Sequence, residues 1–168
     1  HNLYRFSENS TSVTNKNNNE DVNMMPEIYG LWIVSEKGTM IHEQEIYIKD
    51  AENFNVVFFG GLMAIISKLL RSENEKDLKK TELDDSTLFG LRVGEKNLHL
   101  IVRTNNNAPE EYITALFREI LNAYVLHFNG SRFKEEMMKD EKIHSFRNDI
   151  EKFIRNPKRI VKGLLEQD

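Results

Sequence analysis

Along the chain, stretches whose apolar residues recur on alternate positions give way to stretches in which they return every third or fourth, and the two periods predict strands and helices. Residues 28–35 (Ile-Tyr-Gly-Leu-Trp-Ile-Val-Ser) are apolar on both alternating faces, as a central strand covered on two sides is. Glu36-Lys37-Gly38 predicts a tight turn, because glycine supplies the positive φ that a hairpin needs. Residues 39–48 read as the return strand, with Met40, Ile46 and Ile48 on one face and Glu43 and Glu45 on the other. Farther on, residues 81–85 predict a short edge strand, 87–93 a longer one, 94–97 a turn, and 98–103 a strand aligning Leu98, Leu100 and Val102.

Helical periodicity marks three longer segments. From a cap at Asp50 or Asn53 to about residue 72, Phe54, Phe58, Gly61, Leu62, Ile65 and Leu69 fall on one side at about 100° per residue. Val56, Phe59, Met63, Ile66 and Leu70 fall nearly opposite, so this helix has two apolar stripes and a sheet can cover only one of them. The segment 109–128 opens with Pro109 and Glu110-Glu111, acids at the positive end of the dipole. It carries Ile113, Leu116, Phe117, Ile120, Tyr124 and Phe128 in a single stripe before Asn129-Gly130 ends it. Residues 133–156 place Ile143, Phe146, Ile150, Phe153 and Ile154 on one face and stop at Pro157, although the pattern over 131–140 is poor. Ile160, Val161, Leu164 and Leu165 predict a last short helical piece.

These elements divide the chain into a tail (1–27), a domain (28–130) and a C-terminal helical extension (131–168). The tail is rich in Asn, Ser and Thr and cannot offset its own chain entropy unless Leu3, Tyr4 and Phe6 dock. The domain is expected to be α+β: a five-stranded mixed or antiparallel sheet in β-β-α-β-β-β-α order with helices on its faces. In that order of elements the chain resembles the longin family. The resemblance is carried by Tyr29 to Ser35 with Gly38 at the hairpin, the 53–71 helix, the 88–93 and 98–103 strands and the 109–128 helix. It spans about residues 28–128 and includes no diagnostic short motif. It implies a scaffold of membrane-trafficking machinery that binds a small GTPase or another longin- or roadblock-like subunit, a second copy of itself included. The roadblock family has a similar sandwich but begins with a helix, and no helical period precedes Ile28. Nor does a SNARE-type heptad run follow Gly130.

Composition narrows the function further. At 168 residues, with 39% hydrophobic residues and ten Phe, the chain can bury a single substantial core. No cysteine occurs, which removes disulfides, thiol catalysis and thiolate-bound metal, and predicts a cytoplasmic setting. A net charge of -4 argues against nucleic acid as a partner. The longest apolar run, residues 56–66, is too short for a transmembrane span. Lys158, Arg159 and Lys162 among the last apolar residues allow only weak peripheral contact with a membrane.

Catalytic chemistry finds little support in the sequence. Gly60-Gly61 has no following Lys-Ser or Lys-Thr, and close helix packing explains the pair better than a phosphate loop. His1, His42, His99, His127 and His144 show no metal-ligand spacing, although His42 and His99 could meet on the sheet. Asp84 and Asp85, adjacent in sequence, read as a solvated turn. The expectation is a non-enzymatic protein with no catalytic residue, metal or cofactor, docking a partner through Val56, Phe59, Met63, Ile66 and Leu70. Internal cover of that stripe would come from the 143–154 helix or from Leu3, Tyr4 and Phe6. The alternative is a small-molecule sensor with an apolar pocket between sheet and helix, into which His99 or Tyr47 would point.

Overall fold

A run of seven apolar-rich residues makes β1 (Ile28–Val34), and the chain reverses through Gly38 at φ 95° into β2 (Met40–Glu45). The backbone N–H of Ser35 donates to Thr39 O and that of Gly38 to Ser35 O, both at 2.9 Å. The computed structural model describes residues 25–46, 51–71, 77–156 and 158–160, and residues 51–57 by their backbone alone. After β2 come α1 (Ala51–Leu70), β3 (Lys79–Glu82), β4 (Thr87–Val93), β5 (Leu98–Thr104), α2 (Glu110–Phe128) and α3 (Lys142–Arg155). Short 3-10 turns at Gly94–Lys96 and Glu135–Lys139 join β4 to β5 and α2 to α3.

The protein is α+β, with one five-stranded sheet in the order β2-β1-β5-β4-β3. Every neighbouring pair is antiparallel, so of the two expected kinds of sheet the mixed one is not seen. β1 and β5 lie inside the sheet, which explains why both of their faces are apolar. Alternation along the strands sorts side chains into two layers. Leu31, Ile33, Phe89, Leu98, Leu100 and Val102 face α2 and α3, forming the larger cluster. On the other face Trp32, Leu88 and Ile101 meet Ile65 and Leu69 of α1.

The face assignment of β2 requires a correction. Ile33 pairs with His42 but Val34 pairs with Met40, leaving Ile41 as an extra residue. A bulge of one residue reverses the inward and outward parity of a strand. Met40, Glu43 and Glu45 consequently share a face, opposite Val34, Trp32 and Gly30, whereas simple alternation separates Met40 from the two acids. Ile41 and His42 are both buried, and Arg147 Nε of α3 donates to the Ile41 carbonyl at 2.8 Å.

Three expected boundaries also shift. β3 ends at Glu82, and residues 83–86 form a bend closed by Leu83 N to Ser86 O at 2.8 Å, instead of a strand over 81–85. Order begins before Ile28: Met25 packs on the core, and Glu27 and Asn105 exchange two hydrogen bonds of 3.1 and 2.9 Å. At the other end, helix starts at Lys142, not Phe133, yet Phe133, Ile143, Phe146 and Ile150 join the same cluster as α2. Up to Ile160, which is also buried there, the extension shares the core of the domain. Leu3, Tyr4 and Phe6, with Tyr47, Ile48, Asp50, Val161, Lys162, Leu164 and Leu165, lie outside the described residues.

Candidate docking surface

α1 approaches the sheet where side chains are smallest. A Cβ added at Gly61 would stand 2.7 Å from Leu83 Cδ1 and 3.0 Å from Leu88 Cδ1, and one at Gly90 of β4 would stand 3.0 Å from both Ile65 and Leu69. These two glycines let helix and strand close up, which accounts for Gly61 inside a helix where it costs about 1 kcal/mol relative to alanine. Lys68 in the last turn donates from Nζ to the Lys80 carbonyl of β3 at 2.5 Å and complements the negative end of the helix dipole. Ile65 and Leu69 are fully buried as a result.

The same register turns the second stripe to solvent. Phe59 is 67% exposed, Met63 60% and Leu70 56%, in one row that runs about 16 Å along the helix axis. Ile66, assigned to this stripe by sequence, is partly buried against the α1-side cluster, at the border between the two faces. Val56 belongs to the helix, but its side chain lies outside the described residues. At Gly60, beside Phe59, nothing among the described residues comes within 4 Å of the place a Cβ would take, so of the pair it is Gly61 that packs on them. Met40, 41% exposed, looks out from the same side of the sheet with the exposed acids Glu43 and Glu45.

Expected internal cover from α3 does not occur. α3 packs on α2, where Phe146 meets Tyr124 and Phe128 at ring distances of 5.7 and 5.9 Å, on the opposite face of the sheet from α1.

A buried cation ties α1 to the sheet. Arg103 of β5 is 1% exposed; its guanidinium lies 4.7 Å over the Phe58 ring, Nε donates to Ser86 Oγ at 2.8 Å, and Asp85 stands 3.5 Å away. Phe58 in turn contacts Trp32 at 5.0 Å. Burial pushes the guanidinium down to about 10, with Asp85 opposing the shift, so Arg103 stays charged at neutral pH. Asp85 is therefore a partner for Arg103 as well as an exposed turn residue. Sequence reading missed this arrangement, because its members are distant along the chain and only the arginine inside an otherwise apolar strand signals it.

The polar groups considered for chemistry do not converge. His42 shares a face with Ile33 and His99 with Val34, so the two imidazoles lie on opposite sides of the sheet. His42 Nε2 pairs with Gln44 at 3.1 Å, while His99 Nε2 has no hydrogen-bond partner among the described residues. Burial lowers both imidazoles below their ordinary value. No protein-family model matches the chain, and no curated protein is detectably similar to it in sequence. Among the described residues no helix is long and apolar enough to cross a membrane. Lys158 and Arg159 are exposed, but Arg159 lies 5.6 Å over the Phe153 ring and Ile160 turns inward, so residues 158–160 lie against the domain.

Proposed function

We propose that the protein is a non-enzymatic interaction module that docks another protein on the outer face of α1. The carrying observation is the row Phe59, Met63 and Leu70, three large apolar side chains each more than half exposed on one helix face. Soluble proteins rarely leave such a contiguous patch without a partner. Gly60 keeps the helix backbone open to close approach, and Glu43 and Glu45 beyond Met40 favour a partner with basic groups at the rim.

The partner class follows from the longin resemblance: a small GTPase or another longin- or roadblock-like subunit, a second copy of this chain included, in membrane-trafficking machinery. The five-stranded antiparallel sheet with helices on both faces is compatible with that reading. Among the described residues, a groove between sheet and helix lies on the α2 side, away from His99, so this groove does not favour the sensor alternative.

Phe59→Glu combined with Met63→Glu is expected to abolish self-association, or binding of a candidate GTPase, in light scattering. Each exposed substitution should shift folding stability by no more than about 0.5 kcal/mol. An unchanged oligomeric state together with unchanged partner binding rules out this face; unfolding in circular dichroism makes the row part of the core.

A further inference from the structure

At about 100° per residue, Lys68 stands roughly 140–180° round α1 from Phe59, Met63 and Leu70. Its Nζ reaches the Lys80 carbonyl of β3, so the exposed row looks the other way, over β1 and β2. On that face of the sheet Val34 is half-buried, and Met40, Glu43 and Glu45 are exposed. A helix flank and an open stretch of sheet thus border one trough.

Shape, charge and area together say what fills it. Beside the row, on the solvent side of α1, stand two small residues, Gly60 and Ser67. If a second α1 lies antiparallel with the two-fold axis level with Ile65, Met63 of each copy comes opposite Ser67 of the other and Leu70 opposite Gly60, large on small. Acids flank one end of the row. Glu43 is the neighbour of Trp32, which meets Phe58 at 5.0 Å, and Glu45 helps hold the charge of Arg103, whose guanidinium lies against the same ring. At the Leu70 end Arg71 is exposed, and no carboxylate pairs with it among the described residues. Parallel copies would set like charge on like, whereas antiparallel copies set Glu43 of each toward Arg71 of the other. Phe59, Met63 and Leu70 leave roughly 350 Å² of apolar surface open in each chain; a two-fold contact doubles this, and with Met40, the small residues and the charged flanks it approaches the roughly 1,000 Å² that a specific interface needs.

We infer that the occupant is a second copy of this chain, held by a two-fold, antiparallel contact of α1 on α1. It rests on the reading that this face docks a protein and commits that reading to one partner.

Sedimentation equilibrium of the full chain tests it. The chain is expected to dimerise, and Glu43→Lys or Arg71→Glu alone should each raise the dimer dissociation constant about tenfold, since each change is repeated across the axis. The two together should restore the original affinity, which a parallel contact would not do. Lys139→Glu, exposed on the turn before α3, should change nothing. Circular dichroism confirms that each variant is folded. A chain that stays monomeric overturns the proposal; if it still binds a GTPase in a manner lost with Phe59→Glu and Met63→Glu, the docking face stands and only the second copy is wrong. A dimer indifferent to Phe59→Glu has its contact elsewhere and also overturns it. Single charge reversals with no recovery in the double variant overturn the antiparallel arrangement.

Discussion

Two glycines illustrate how much one residue's surroundings decide. Gly30 sits buried in β1, and the place its Cβ would take is filled by the Trp32 indole, chiefly Cη2, which a side chain at position 30 would displace. Trp32 is 4% exposed and pinned by Phe58, so it has little room to give. Gly30→Ala should destabilise the protein by about 1–3 kcal/mol, the usual cost of overpacking a core. Gly60→Ala should instead stabilise it by about 0.5–1 kcal/mol, since the new methyl meets open space and the helix gains propensity. Urea titration checks both; a loss at Gly60 would mean that its surroundings are not open. A glycine inside a strand already signals close approach. That the approaching group is an indole two residues along the same strand was not legible, because residues two apart usually stand side by side without overlapping. Arg103 shows the opposite limit: nothing nearby in sequence announces that Ser86, Asp85 and Phe58 surround it.

At the scale of elements, legibility followed the clarity of the period. The α2 stripe from Ile113 to Phe128 is buried throughout, and its end at Asn129 and Gly130 has the positive φ values, 53° and 72°, expected of those residue types. α1 was ambiguous because both of its stripes are apolar. The choice of inner stripe follows from Gly61, the small residue that lets Ile65 and Leu69 reach β4. α3 was uncertain for another reason: its face is plain in sequence, but the surface it covers is made by α2 and β2. The structure makes α3 integral, since removing it would uncover Tyr124 and Phe128 and leave Ile41 O without Arg147. A chain ended at Gly130 is therefore expected to lose cooperative thermal unfolding. Phe146→Ala in the full chain should cost about 3–5 kcal/mol. A sharp circular dichroism transition for the shortened chain would show instead that the first two helices suffice.

For the whole molecule, acid should loosen both faces of the sheet together. Burial lowers His42, helped by Arg147 and opposed by its hydrogen bond to Gln44 and by Glu151. Burial likewise lowers His99, helped by Arg92 and opposed by Glu36. Below the ordinary value of 6.5 the unfolded chain takes up protons that the folded one refuses. The stability tied to these two groups is complete above that pH and is lost as the pH falls through their lower folded values. The urea midpoint should therefore drop between about pH 7 and pH 5, and His42→Gln with His99→Gln should flatten that slope. An unaltered slope would assign the acid sensitivity to carboxylates. At this scale the sequence by itself determined the α+β class, the strands at β1, β4 and β5 and the single buried stripe of α2, because periodicity is a local property of the chain. The bulge at Ile41, the separation of His42 from His99, the burial of Arg103 and the seat of α3 were decided only by tertiary structure. Each depends on which distant backbone lies alongside, and that pairing is selected by the packing of the whole core, not by any segment's own pattern.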